Sequence, residues 1–79
     1  MKVQKAVAIR LSNLMLKHNI TQYEVAKRMN TDKNTVKHIL NEDYKSIKFD
    51  TVIKLAQAFN MTLLEFLDDK VFNYDNLDL

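Results

Sequence analysis

The sequence predicts an all-α domain of five short helices, and three observations predict it. Apolar residues recur at three- and four-residue spacing in five separate segments, and no strand is needed before residue 70. Threonine or aspartate stands ahead of three of those segments, where a side-chain oxygen can satisfy a free backbone amide. Asn19, Asn30 and Asn60 each close an apolar helical pattern in a chain with no glycine and no proline. Asparagine is the best substitute for glycine where a helix ends in a residue of positive φ, so these three are read as helix C-caps.

The first helix spans about 3–18 and sets Val3, Val7, Leu11 and Leu14 on one face. The second begins at Thr21: Thr21-Gln22-Tyr23-Glu24 fits a capping box, and Val25, Ala26 and Met29 form a short apolar stripe. The third spans about 32–40, with Asp32 as its N-cap and Val36, Ile39 and Leu40 as its buried side. Residues 41–48 read as a loop. The fourth, about 49–58, buries Val52, Leu55 and Ala56, with Phe59 just beyond. The fifth starts at a second capping box, Thr62-Leu63-Leu64-Glu65. The core is expected around Leu11, Leu14, Val25, Ala26, Met29, Val36, Ile39, Leu55, Ala56, Phe59 and Leu67. Met15, Met29 and Met61 fill gaps in it, and Tyr23 and Tyr44 cover its rim. Residues 1–67 form the domain, and 68–79 form an acidic C-terminal tail.

Composition excludes several function classes. The chain has no cysteine and only two histidines, His18 and His38, so neither a zinc staple nor thiol chemistry is expected. Ser12, Ser46 and two distant histidines do not assemble into nucleophile, base and orienting group. No catalytic, cofactor-binding or metal-binding residue is expected, and the chain is read as a non-enzyme. The acid pairs Glu42-Asp43 and Asp68-Asp69 are read as solvated turns. No apolar run reaches the roughly 20 residues of a membrane span, and no signal peptide is visible, so the expected compartment is the cytoplasm. Charge is segregated: residues 1–48 hold ten Lys/Arg against four Asp/Glu, and residues 49–79 hold two against six. A basic half suits a polyanionic partner, although uneven charge also arises by chance in small domains.

The tight break between the second and third helices is the helix-turn-helix plan. In that plan the second helix crosses the DNA backbone and the third lies in the major groove. The third helix must then bury one narrow side and leave the rest free. Val36, Ile39 and Leu40 supply the buried side, while Lys33, Asn34, Lys37 and His38 project elsewhere. A helix so polar is wasteful in a small core but useful in a groove.

The chain also resembles the phage repressor/Cro-type, Xre-like helix-turn-helix family. The resemblance rests on Ile20-Thr21-Gln22-Tyr23-Glu24-Val25-Ala26, on Asn30 at the turn, on Thr35-Val36-Lys37-His38-Ile39, and on the run from Phe49 to Leu67. It covers about residues 5–67. It implies a compact five-helix, lambda-repressor-like domain that binds double-stranded operator DNA, usually as a homodimer, and regulates transcription, a repressor first of all. Carried over by position, base reading falls on Lys33, Asn34 and His38 with Lys37 flanking. Phosphate contact falls on Thr21, Gln22, Thr35, Lys45 and Ser46, with Lys27 and Arg28 less well placed. The chain departs from the family at Met15 and Leu40, where members often hold an arginine and a glutamate; the paired change implies an apolar contact in place of an ion pair. The expected dimer surface is the fifth helix and the residues just after it, around Leu63, Phe66, Val71 and Phe72, unless these fold back on the core. The alternative function is a protein-interaction module or antitoxin component on the same fold, gripping a protein partner through the tail.

Overall fold

Four helices of this chain stop in the same way, and those stops set the architecture. Asn19, Asn30, Glu42 and Asn60 have φ of 53°, 55°, 60° and 56°. After each, the next amide reaches back five residues: Ile20 to Met15, Thr31 to Ala26, Asp43 to His38 and Met61 to Ala56, at 2.9–3.0 Å. This is the Schellman geometry, which satisfies carbonyls that a helix end leaves orphaned. The three asparagines adopt the left-handed conformation expected of them. Glu42 is a fourth such stop that the sequence does not announce, and a glutamate there costs about 1–2 kcal/mol of backbone strain.

The computed structural model describes all 79 residues. It is all-helical with no strand: α1 (Val3–His18), α2 (Gln22–Arg28), α3 (Lys33–Leu40), α4 (Phe49–Ala58) and α5 (Leu63–Leu67), then single 3₁₀ turns at Lys70–Phe72 and Tyr74–Asn76. α3 packs against α1 and α2, and α4 against α2 and α5. One core joins Val7, Leu11 and Leu14 of α1 to Val25, Ala26 and Met29, to Val36 and Ile39, and to Leu55, Ala56 and Phe59. Met15, Ile20, Leu40, Ile47 and Met61 pack half-buried against it. The pair Met15 and Leu40 lines one shallow groove with Ile20 and Gln22, so both positions contribute apolar surface to it.

Four expectations need correction. Leu67 is not in the core; it is 36% exposed, and Phe66 beside it is fully buried. A five-residue helix has one inward face, and the larger aromatic takes it. The expected dimer surface is largely covered: Phe66 and Val71 are buried, and Leu63 and Phe72 pack half-buried on the core, with the Phe72 ring 6.0 Å from that of Phe66. The box at Thr21 is half-formed. Thr21 Oγ1 accepts from the Glu24 amide at 3.2 Å, but the Glu24 carboxylate turns to Arg28 at 3.7 Å. Tyr23 does not cover the core rim; it is 67% exposed.

Residues 68–79 fold back, with Val71 buried and Phe72 against the core, and Arg10 anchors the start of the segment. Its guanidinium donates to the Phe66 carbonyl at 2.8 Å and the Glu65 carbonyl at 3.0 Å. It pairs with Asp69 at 3.3 Å and lies 5.6 Å from the centre of the Phe66 ring. One planar fork thus caps the end of α5 and anchors the turn after it. Further on, the Met1 amine donates to the Asn76 carbonyl at 2.7 Å, and the Asp78 amide donates to the Met1 carbonyl at 2.8 Å.

Candidate nucleic-acid interface

α3 begins where Asp32 Oδ1 accepts from the Thr35 amide at 2.9 Å. That cap fixes the first turn, so Lys33 and Asn34 stand at the front of the helix with their side chains in solvent. Lys37 and His38 continue the same exposed side one turn later, because residues four apart share a helix face. Val36 and Ile39 are fully buried on the opposite side and Leu40 is half-buried. The helix is therefore clamped along a narrow apolar edge and polar over the rest.

The side chains expected at phosphates are placed less uniformly. Thr21 uses its oxygen as an acceptor for the Glu24 amide, which leaves the hydroxyl proton free to donate. Gln22 opens α2 and lines the groove between α1 and Leu40. Lys45 is exposed, and its backbone is pinned by Gln4 of α1, whose side-chain amide donates to the Lys45 carbonyl at 3.0 Å. Ser46 and Thr35 line one small cavity with Ile39, Tyr44, Ile47, Lys48 and Thr51. The Thr35 hydroxyl donates to Asp32 at 3.2 Å, so its proton is already committed. Lys27 and Arg28 are both exposed, and Arg28 donates to the Ala58 carbonyl at 3.0 Å.

His38 has partners of its own. Its Nδ1 lies 2.8 Å from Asp43 Oδ2, and the Tyr44 ring meets it edge-on at 5.9 Å between centres. The sequence reading of Glu42-Asp43 as a solvated turn missed this contact. The signal was the acid five residues after the histidine, but it needs the left-handed Glu42 to bring Asp43 back. Gln4 and Arg10 were missed for a plainer reason: their partners are 41 and 56 residues away. No group of three His, Cys, Asp or Glu side chains is placed to hold a metal ion, and no helix is long and apolar enough to cross a membrane.

Two short helices joined by a tight left-handed turn, the second with its polar side outward, define a helix-turn-helix domain. Residues 10–70 match the family model of the Cro/C1-type HTH DNA-binding domain. The chain belongs to that family, and membership supports DNA as its partner. No curated protein and no solved structure matches the chain significantly.

Proposed function

We propose that the protein is a sequence-specific transcriptional regulator, a repressor, that inserts α3 into the major groove of operator DNA. The observation that supports this reading best is the division of α3 itself: a buried edge of Val36 and Ile39 against an outward set of Lys33, Asn34, Lys37 and His38. Lysine donates to guanine O6/N7, and asparagine pairs with adenine N6/N7. Lys33 and Asn34 occupy the first turn, which reaches base edges most directly; His38 reads a base one turn on, and Lys37 flanks it. Thr21, Gln22, Lys45 and Ser46 bind phosphates, with Thr35 joining them once its hydroxyl leaves Asp32. A homodimer places two copies of α3 on a two-fold site, with half-sites roughly 34 Å apart. With Phe66 and Val71 buried, the apolar surface that α5 offers a second copy is Leu64, 80% exposed, and Leu67.

The test is selection of bound duplex from a random pool at fixed salt, then sedimentation on the selected site. A two-fold consensus bound by two chains is expected. Recovery of unselected sequences, or of one chain per strictly asymmetric site, would contradict the reading.

A further inference from the structure

The turn after α3 differs from those after α1 and α4 in one respect. A Schellman turn usually brings an apolar residue past the turn against the helix residue whose carbonyl it bonds. Ile20 and Met61 stand at that place after α1 and α4, half-buried against the core. After α3 the place belongs to Asp43. Its amide donates to the His38 carbonyl at 3.0 Å, and its carboxylate meets Nδ1 of the same histidine at 2.8 Å. Asp43 thus grips residue 38 by backbone and side chain at once. Tyr44 closes on the ring from another side.

The chemistry of the grip is directional. An ionised carboxylate only accepts hydrogen bonds, so Nδ1 must be the donor. In a neutral imidazole one nitrogen donates and the other accepts, and the bond made by one fixes the role of the other. In the neutral ring Nε2 is therefore left as an acceptor. Each base pair shows one exocyclic amine in the major groove, on adenine N6 or cytosine N4, while guanine and thymine present acceptors on their strand. An acceptor at Nε2 pairs with the first kind and is repelled by the second.

We propose that Asp43 is a positioning residue for base reading: by holding Nδ1–H of His38 it makes Nε2 select an amino base, adenine or cytosine, over a keto base at one position of each half-site. This rests on the reading of α3 as the groove-inserted helix. The selectivity is degenerate between two bases because only one hydrogen bond discriminates. Asp43 also brings a negative charge near phosphates, which weakens binding to every sequence alike.

Two measurements test this. The first needs no DNA: long-range proton–nitrogen correlation NMR of the whole chain at about pH 8, above the usual range of imidazole titration. Wild type and Asp43→Asn, which keeps a carbonyl acceptor, should show His38 protonated at Nδ1. Asp43→Ala should shift it toward Nε2–H. The second is sequence selection, in which His38→Ala identifies the base position that His38 governs. Wild type should prefer adenine or cytosine there by about tenfold, within the usual range for a base contact. Asp43→Asn should keep that preference while binding all DNA more tightly, and Asp43→Ala should reduce it below about twofold. Melting curves establish that each variant is folded. If wild type selects a site but His38 is protonated at Nε2, or Asp43→Ala leaves the preference intact, the Asp43 assignment is overturned and the α3 reading stands. If wild type selects no sequence, the α3 reading falls and this assignment with it.

Discussion

α3 and α5 are both short capped helices that come after a left-handed asparagine, yet they are finished in opposite ways. Asp32 caps α3, and Thr62 and Glu65 form a complete capping box on α5. At the other end, the carbonyls of α3 are satisfied within its own turn, by the amides of Asn41, Glu42 and Asp43. Those of α5 are satisfied partly by the amides of Asp68 and Asp69, on Glu65 and Leu67, and partly from outside, by Arg10 of α1 on Glu65 and Phe66. The difference teaches what each helix is for. α3 is closed by contacts from the turn that follows it, and the only side chains laid on its outward set, those of Asp43 and Tyr44 against His38, come from that same turn. A helix that completes the core is secured by a distant one.

The strongest way to break the comparison is at Phe66. It is the largest fully buried side chain, so Phe66→Ala should cost about 3–5 kcal/mol. In a domain this small that approaches the whole stability. Lys33→Ala on α3, by contrast, should melt within about 0.5 kcal/mol of wild type. Chemical denaturation of the two variants checks the contrast, and a near-native Phe66→Ala would mean that α5 does not close the core.

Arg10 comes next. Arg10→Ala removes two bonds to α5 and the pair with Asp69, with an expected loss of about 2–3 kcal/mol, since bonds from charged groups are stronger than neutral ones. Arg10→Lys should recover only part, because an ammonium cannot reproduce the planar fork. Full recovery by lysine would show that the charge alone holds the tail.

The smallest effect concerns the cap of α5. Thr62→Ala should cost about 1 kcal/mol. The Thr62 amide, and then its hydroxyl, hold the Glu65 carboxyl below the usual carboxylate range. A carboxyl that is more acidic in the folded state stabilises it above the ordinary carboxylate range and ceases to as pH falls through the folded value. The melting difference between wild type and Glu65→Ala should therefore shrink as pH is lowered from about 5. A difference that persists unchanged down to pH 3 would show that the carboxylate bond contributes nothing.

Where the fold was legible in the sequence, the determinants were local. Asn19, Asn30 and Asn60 marked three stops because little but asparagine replaces glycine at positive φ. Asp32 and Thr62 marked two starts, and the apolar spacing gave all five helices. The exposed set on α3 came from the same periodicity. What was hidden depended on distance or on strain. Choosing Phe66 over Leu67 required knowing which side of the five-residue α5 turns inward. The expected dimer surface failed because apolar residues after Leu67 look alike whether they face a partner or fold back. Glu42 gave no hint of a left-handed turn, so the link from Asp43 to His38 could not be read from residue types alone.

The central claim is that the side chains of α3 read bases while Lys45, in the loop after it, contacts only the backbone. The direct test measures Lys33→Ala, Asn34→Ala and Lys45→Ala on the selected site and on a scrambled duplex across a salt series. Lys33→Ala and Asn34→Ala should each lose about 1–3 kcal/mol on the selected site and little on the scrambled one, because a base contact is specific to sequence. Lys45→Ala should lose affinity on both alike and flatten the salt dependence, because a phosphate contact releases counterions whatever the base. If Lys33→Ala and Lys45→Ala weaken both duplexes equally, α3 is not the reader.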